Sequence, residues 1–164
     1  MVKEVEAAVA QEADGELQLV VFALGEEEYG VPVGQVEEII RMPAITHIPK
    51  VAAFVEGVIN LRGRVIPIVD LKKLFDLPET ARDEKSRIVV VEVGGQTVGM
   101  TVDNVSEVLR LPSSAIDPPP QVAGGDSGFL TGVGKLGERL LMLLDLDKLV
   151  PQLALGELDL TATA

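Results

Sequence analysis

Short runs of aliphatic residues separated by glycine-containing turns recur along this chain. Leu17–Leu24 and Arg87–Val93 are two such runs, and a turn follows each of them at Gly25 and Gly94. Runs of valine, isoleucine and leucine are typical of β-strands, and glycine adopts the positive φ that a tight hairpin turn requires. The pattern therefore predicts two hairpins. Their return strands are predicted at Tyr29–Val33 and Val98–Val102.

The apolar residues that follow each hairpin are too few for their spacing to decide between a helical turn and a short strand. They are Val36, Ile39 and Ile40 in one case and Val105, Val108 and Leu109 in the other.

A third hairpin is predicted around Arg62-Gly63, between the runs Val55–Leu61 and Val65–Val69. Its second arm contains Pro67. Because proline has no N–H group to donate within a sheet, we expect this arm to be an edge strand or to carry a bulge.

The sequence contains an internal duplication. Leu19–Val33 aligns without a gap with Ile88–Val102 at an offset of 69 residues, and the match continues to Pro43 and Pro112. A second block aligns at an offset of 75 residues and sets Gly57 on Gly132, Leu61 on Leu136, Arg64 on Arg139, Asp70 on Asp145 and Leu74 on Leu149. The stretch Asp117–Gly128 can absorb the extra residues of the second copy. A match this long exceeds what generic hairpin periodicity explains.

Two units of this size cannot bury much apolar surface separately. We therefore predict a mainly β fold of two pseudo-symmetric five-stranded β-barrels packed together, with few short helices. The domain is expected to span residues 16–154, with one barrel at about 17–80 and the other at about 86–150; whether the barrels are intertwined stays open. Residues 1–15 form a flexible acidic N-terminus in this prediction, and residues 155–164 form a tail.

The charge balance argues against two classes of primary partner. The 164 residues carry 14 basic and 26 acidic side chains, a net charge of −12, and so acidic a surface repels nucleic-acid phosphates and anionic lipid. The absence of cysteine excludes disulfides and thiolate metal sites. Met1–Glu16 lacks the features of a signal peptide, and no apolar run is long enough to span a bilayer. We expect a cytoplasmic protein without nucleic-acid binding or membrane insertion.

Candidate catalytic residues are few and lack the neighbours that catalysis requires. His47 is the only histidine and lies in an apolar stretch, so a structural or surface role fits it better than general-base catalysis. Asp70 and Asp145 are equivalent, as the paired carboxylates of some proteases are, but each is placed to cap a short helical turn. Gly132–Gly137 matches G-x-G-x-x-G, yet a strand-like run follows it. We predict a protein that is not an enzyme and has neither metal nor cofactor.

Gly57–Leu71 closely resembles the G-x-x-N-L-R-G-x-x-x-P-x-x-D-L signature of CheW-like domains. Further segments that resemble the family are Phe22–Val33, Val36, Glu38-Ile39, Val98–Asp103 and Leu130–Gly134. The resemblance covers residues 17–150, nearly the whole chain. It implies a fold of two intertwined SH3-like β-barrels, which agrees with the duplication, and it implies neither catalysis nor a cofactor.

The resemblance also implies a function and partners. Similarity to this family predicts a chemotaxis adaptor that couples the cytoplasmic signalling tips of chemoreceptors (methyl-accepting proteins) to the regulatory, CheW-like domain of the histidine kinase CheA. Such a protein is expected in the cytoplasm, recruited to membrane-bound receptor arrays, and we expect a monomer in isolation. The alternative is an SH3-like protein-interaction module of another signalling or assembly system.

For a receptor- or kinase-binding surface, Arg62 at a hairpin tip is the first candidate. A guanidinium can bind carboxylates or helix-end carbonyls of a partner, although a solvated turn arginine is the alternative. Glu38 can pair with a basic partner residue or stay solvated, and Gly57 and Asn60 either shape the backbone or contact the partner. The apolar candidates, which the resemblance places near a groove between the barrels and which periodicity alone assigns to the core, are Val36, Ile39, Val58 and Val108.

Overall fold

The computed structural model describes residues 15–120 and 129–153. Residues 1–14 of the predicted N-terminal segment, the predicted tail and part of the proline- and glycine-rich stretch lie outside the described residues. The described strands are β1 (Glu16–Leu24), β2 (Glu27–Pro32), β3 (Val36–Arg41), β4 (Val55–Leu61), β5 (Arg64–Asp70), β6 (Arg87–Val93), β7 (Gln96–Val102), β8 (Asn104–Pro112), β9 (Ile116–Asp117), β10 (Leu130–Leu136) and β11 (Arg139–Leu144). The described α-helices are α1 (Leu71–Leu74) and α2 (Leu146–Gln152).

The strands form two sheets, and each sheet takes strands from both copies of the duplication. Sheet A has the order β8-β1-β2-β11-β10-β9, and sheet B has the order β3-β6-β7-β5-β4. The chain therefore passes from sheet A to sheet B between β2 and β3, and it returns between β7 and β8. Within each sheet, one parallel pair joins the two copies: β11 with β2 in sheet A, and β5 with β7 in sheet B.

Strands β1 and β6 show why the apolar runs of the sequence are continuous rather than alternating. In β1, Leu19 and Val21 belong to a small core inside sheet A, whereas Val20 and Phe22 belong to a large core that the two sheets share. In β6, Ile88 and Val90 lie inside sheet B, and Val89 and Val91 face the shared core. Successive side chains of a strand point to opposite faces, so a strand buried on both faces needs apolar residues throughout.

The shared core is the largest of the three apolar clusters among the described residues. It contains side chains of both sheets and of both helices, including Val31 and Leu144 from sheet A, Met100 from sheet B, Leu71 from α1 and Leu149 from α2. A fully buried aliphatic side chain contributes roughly 1.5–3 kcal/mol, so this layer joins the two halves strongly. The fold prediction is confirmed: the protein is mainly β, with two SH3-like barrels packed together and two short α-helices in the described residues. Five strands were predicted for each barrel, and sheet A has six because the two-residue strand β9 pairs with β10.

The two predicted aspartate caps are present. The Asp70 carboxylate accepts hydrogen bonds from the backbone N–H groups of Lys72 (2.9 Å) and Lys73 (3.2 Å) at the start of α1. The Asp145 carboxylate accepts one from Lys148 N–H (3.3 Å) in α2. Capping explains why an aspartate directly precedes both equivalent helices.

The prediction that Pro67 confines β5 to an edge or a bulge was wrong. Strand β5 lies inside sheet B, between β7 and β4. It tolerates the proline because its pairing with β7 begins only at Ile68, opposite Gly99. In the equivalent pair of sheet A, Met142 stands in place of Pro67 and pairs with Tyr29. The two pairings each span three residue pairs, but that of β5 is displaced by two positions past the proline, which has no N–H group to donate.

Candidate functional site

Arg62 occupies the tip of the β4–β5 hairpin in a left-handed conformation. Its φ is 51° and that of Gly63 is 86°, as in a turn whose two central residues both have positive φ. The Asn60 side-chain oxygen accepts a hydrogen bond from Gly63 N–H at 2.8 Å and so holds the turn. The Arg62 side chain is 69% exposed. The duplicated position is Gly137, with φ of 63°, so the first copy keeps an arginine where the second copy has the residue that this conformation favours.

The structure brings Arg62 and Glu38 together as an ion pair. A second ion pair, between Arg64 and Glu37 (2.6 Å), lies beside it. Glu37 and Glu38 belong to β3, which is separated from β5 in the sheet by β6 and β7. The contacts therefore require sheet B to curl until the hairpin tip reaches the opposite edge. Because Arg62 binds Glu38 through a single nitrogen, and a guanidinium has five N–H donors, the pair orients Arg62 without using all its donors.

Gly57 and Val58 support the hairpin from the side. Val58 exchanges two backbone hydrogen bonds with Thr46, both of 2.9 Å, so the connection between β3 and β4 lies against the edge of β4. Gly57 has φ of 153°, and a Cβ atom there would stand 2.0 Å from the Thr46 carbonyl oxygen. The structure thus gives Gly57 a role in shaping the backbone, which is one of its two predicted roles.

Ile39 and Val108 are equivalent residues on the edge strands of different sheets. Ile39 in β3 is 38% exposed, and Val108 in β8 is 61% exposed. Ile39 lies opposite Val89, and Val108 lies opposite Val20; both opposite residues belong to the shared core. Since opposed residues of antiparallel strands point to the same face, Ile39 and Val108 extend the shared-core face to the sheet edges.

The candidates on or beside β3 are Val36, Glu38, Ile39 and Arg62, and we call this strand edge the β3 surface. Val36 and Ile39 lie opposite shared-core residues, whereas Glu38, the partner of Arg62, lies opposite Val90 of the inner core of sheet B and so points to the other face of the strand. Val36 is half-buried against the shared core, while Ile39 and Arg62 are exposed. Val108 lies in sheet A and is not part of it. An apolar strand edge flanked by an oriented arginine is suited to bind another protein.

Two features near the β4–β5 hairpin were not predicted from the sequence. The Arg64–Glu37 ion pair was not predicted, although Arg64 follows the hairpin tip directly. Val65 and Leu140, 52% and 51% exposed, are also equivalent under the duplication. Together with Ile39 and Val108 they are the large hydrophobic residues that are exposed in the described part of the chain. Comparing the two copies position by position would have grouped these four residues.

Two equivalent arginines, one in each sheet, form ion pairs with glutamates of other strands. Arg139, the counterpart of Arg64, donates to both carboxylate oxygens of Glu28 (2.9 Å each) and to Glu107 (2.8 Å). The hydrogen bond from Arg139 holds the pKa of Glu28 below its usual value, and the two glutamates raise the pKa of Arg139. These exposed contacts contribute little stability individually, but they keep the charged side chains in fixed positions.

The candidate catalytic motifs are structural where they are described. Gly132–Gly137 forms part of β10 and its turn. Within residues 15–120 and 129–153, no three His, Cys, Asp or Glu side chains are arranged to hold a metal ion. None of the helices in these residues is long and apolar enough to cross a membrane.

Comparison with known proteins identifies the family. Residues 18–154 match the family described as CheW-like domain. "Chemotaxis protein CheW" from Klebsiella aerogenes is 40% identical over 134 residues, covering 81% of each chain, and the protein of the same name from Helicobacter pylori is 32% identical over 149 residues, covering 90% of each. The crystal structure of the scaffolding protein TtCheW from Thermoanaerobacter tengcongensis has a TM-score of 0.75 at 40% identity, covering 79% of this chain and 84% of that one. The chain therefore belongs to the CheW family, whose members are non-catalytic scaffold and adaptor proteins of chemotaxis.

Proposed function

We propose that this protein is a chemotaxis adaptor that couples the cytoplasmic signalling tips of chemoreceptors to the regulatory domain of the histidine kinase CheA. The observation that carries the proposal is the β3 surface, where an exposed arginine stands beside an apolar strand edge. Membership of a scaffold family with chemotaxis relatives supports it. Through the receptors, the protein would join membrane-bound arrays from the cytoplasm, and it would be a monomer in isolation.

The physical mode is docking of a helix. Receptor tips are helical in this proposal, and an amphipathic helix places its apolar stripe against a hydrophobic edge such as that of Val36 and Ile39. Arg62 then binds a carboxylate or the terminal carbonyl groups of the docked helix. Its left-handed backbone supports a role in binding, because strained conformations of this kind persist mainly where function selects them.

Two barrels allow two partners to bind at once. In this proposal the β3 surface of sheet B binds the receptor, and sheet A binds the kinase domain. The equivalent exposed residues of sheet A, Val108 and Leu140, support a second apolar contact there. Because the shared core joins the sheets, movement imposed on one barrel reaches the other.

The test is capture of a receptor-tip fragment and of the CheA regulatory domain, separately and together. Arg62→Asn keeps a residue that tolerates positive φ but removes the guanidinium, and Arg62→Glu reverses the charge. We expect Arg62→Asn to weaken receptor capture about tenfold, as interface arginines commonly do, and Arg62→Glu to abolish it. Kinase capture should not change with either variant.

The matched control is Lys50→Asn. Lys50 also has positive φ (61°), and its replacement by asparagine also removes one positive charge. Unlike Arg62, it lies in the connection between β3 and β4 and not at the hairpin tip. It should leave both captures unchanged. Equal capture of the receptor by wild type and Arg62→Glu would contradict the proposed site. Failure of the wild type to capture either partner would favour the alternative, an interaction module of another signalling or assembly system.

A further inference from the structure

Each short helix holds the start of an edge strand that belongs to the other sheet. The chain crosses between the sheets just before β3 and just before β8. Asp103, which precedes β8 of sheet A, is bound by Lys72 of α1, and α1 follows directly from β5 of sheet B. Gln35, which precedes β3 of sheet B, is bound by Asp147 of α2, and α2 follows from β11 of sheet A.

The contact at β8 is the stronger one. Lys72 Nζ lies 2.9 and 3.1 Å from the two carboxylate oxygens of Asp103 and 2.5 Å from Thr80 Oγ1, and the Lys72 side chain is only 8% exposed. The Asp103 carboxylate also accepts the N–H of Gly25 at 2.7 Å, and Asp103 N–H donates to the Ala23 carbonyl at 3.0 Å. A partly buried, charge-assisted network of this kind fixes geometry more firmly than a neutral hydrogen bond.

The contact at β3 is weaker. Gln35 Nε2 donates a hydrogen bond to Asp147 Oδ1 at 3.3 Å, and Asp147 is exposed to solvent. The position equivalent to Asp103 is Gly34, which has no side chain with which to make the corresponding ion pair. In both copies the short helix contacts the residues just before an edge strand of the other sheet, but only the contact between Lys72 and Asp103 is an ion pair.

We propose that Lys72 and Asp103 are positioning residues that fix the start of β8, whereas the start of β3, which has no equivalent ion pair to its helix, is the more easily displaced of the two when a helix docks. The proposal rests on the proposed function, because the β3 surface is the suggested receptor site. It explains why the two equivalent edges, with Ile39 and Val108, have unequal supports.

Hydrogen exchange of the full-length chain without a partner tests the positioning role. Lys72→Met keeps the length of the buried side chain and removes the ammonium group. We expect the backbone amides of Asn104–Glu107 to exchange about tenfold faster in Lys72→Met, because local opening becomes easier, and those of Val36–Ile39 to be unaffected. The matched variant of the other contact, Asp147→Ala, should change exchange in Val36–Ile39 less than twofold, since it removes only one long hydrogen bond and leaves the ion pairs of Glu37 and Glu38 in place.

Asp103→Asn provides a second route if Lys72→Met does not fold, because asparagine still accepts the Gly25 N–H but lacks the charge that Lys72 binds. It should accelerate exchange in the same four residues. Unchanged exchange there in a folded variant, or an equal response of the two edges to their own variants, would overturn the inference.

Binding separates this inference from the proposed function. Lys72→Met should weaken capture of the receptor tip less than Arg62→Asn, and should weaken capture of the kinase domain more than Arg62→Asn, because Val108 lies on the edge that Lys72 positions. A wild-type protein that binds neither partner would refute the proposed function, while the exchange result on the free protein would still decide the positioning role.

Discussion

Individual residues show where the two copies diverged in chemistry. The first residue of each hairpin tip has positive φ, Arg62 in one copy and Gly137 in the other, but the second has positive φ only at Gly63 and not at its counterpart Glu138. Such a conformation costs a residue other than glycine of the order of 1–3 kcal/mol. An arginine at this position is therefore unfavourable for the fold itself, and the ion pair to Glu38, which is exposed on its arginine side, offsets little of that cost.

Arg62→Gly should accordingly raise the stability of the protein while it removes the docking residue. We expect the free energy of unfolding to increase by roughly 0.5–1 kcal/mol, because relief of strain outweighs the added freedom of the unfolded chain. Chemical denaturation monitored by circular dichroism measures this. The reverse change at the equivalent tip, Gly137→Arg, should lower stability by about 1 kcal/mol. If Arg62→Gly were instead the less stable protein, the arginine would serve the fold.

At this scale the sequence predicted the turn but not its partner. Glycine and asparagine around Arg62 indicate a tight hairpin from local chemistry alone. The ion pairs of Glu38 and Glu37 depend on how far sheet B curls, and no local pattern encodes that distance. For the same reason Gly57 could not be assigned, because the Thr46 carbonyl that excludes a side chain there comes from a distant segment.

At the scale of elements, equivalent strands differ in where they pair. The β11–β2 pairing runs from Leu141 to Leu143, whereas the β5–β7 pairing starts at Ile68. Each pairing spans three residue pairs, but that of sheet B is displaced by two positions and leaves Ile66 and Pro67 unpaired with β7. Arg64–Pro67 of β5, Gly95 of the β6–β7 turn, and Gln96 and Thr97 of β7 line a notch at this place.

Pro67→Met, which installs the residue of the second copy, should lengthen this pairing. Methionine supplies the N–H group that proline lacks, so we expect β5 and β7 to pair as β11 and β2 do. Nuclear magnetic resonance should then show a slowly exchanging amide at residue 67 and slower exchange in Thr97 and Val98. Met142→Pro is the matched reverse change and should open the β11–β2 pair at Tyr29. An amide at residue 67 that exchanges as fast as an unpaired one would show that the notch has another cause.

Most strands could be predicted at this scale, since Arg87–Val93 was predicted with the observed bounds and the other hairpin strands within a few residues. The segments around Val36 and Val105 stayed ambiguous. Both are strands because they pair with β6 and β1, which are buried on both faces. Pairing across the sheet, not local spacing, decided their conformation.

At the scale of the molecule, the sheets exchange strands between the copies. The duplication predicted two equivalent barrels, and two are present. It could not predict that β1 and β2 join β8 to β11, because an alignment of copies carries no information about which copy supplies a neighbouring strand. The amount of apolar surface predicted the shared core better than the alignment of the copies did, because neither half has enough apolar surface to form a separate core.

A fragment of residues 15–80 should therefore fail to fold. It contains β1 and β2 without their neighbours β8 and β11, and β3 without β6. We expect no cooperative unfolding transition in the fragment, whereas the full chain should unfold in one transition. Tyr29, the only tyrosine, lies in the shared core with its pKa raised by burial, and there is no tryptophan, so its fluorescence reports on this layer. Coincident fluorescence and circular dichroism curves would support one unit, and a folded fragment would contradict it.

The strand exchange has a consequence during translation. Strand β1 leaves the ribosome long before its neighbour β8, because Asn104 and Pro112 are made 81 and 96 residues after their respective partners Ala23 and Glu16. Loops of that length close slowly, and until they close the apolar faces of β1 and β2 remain uncovered. The apolar β1–β2 hairpin of the nascent chain therefore stays uncovered until β8 and β11 have been made. We expect chaperones in the cell to bind this hairpin.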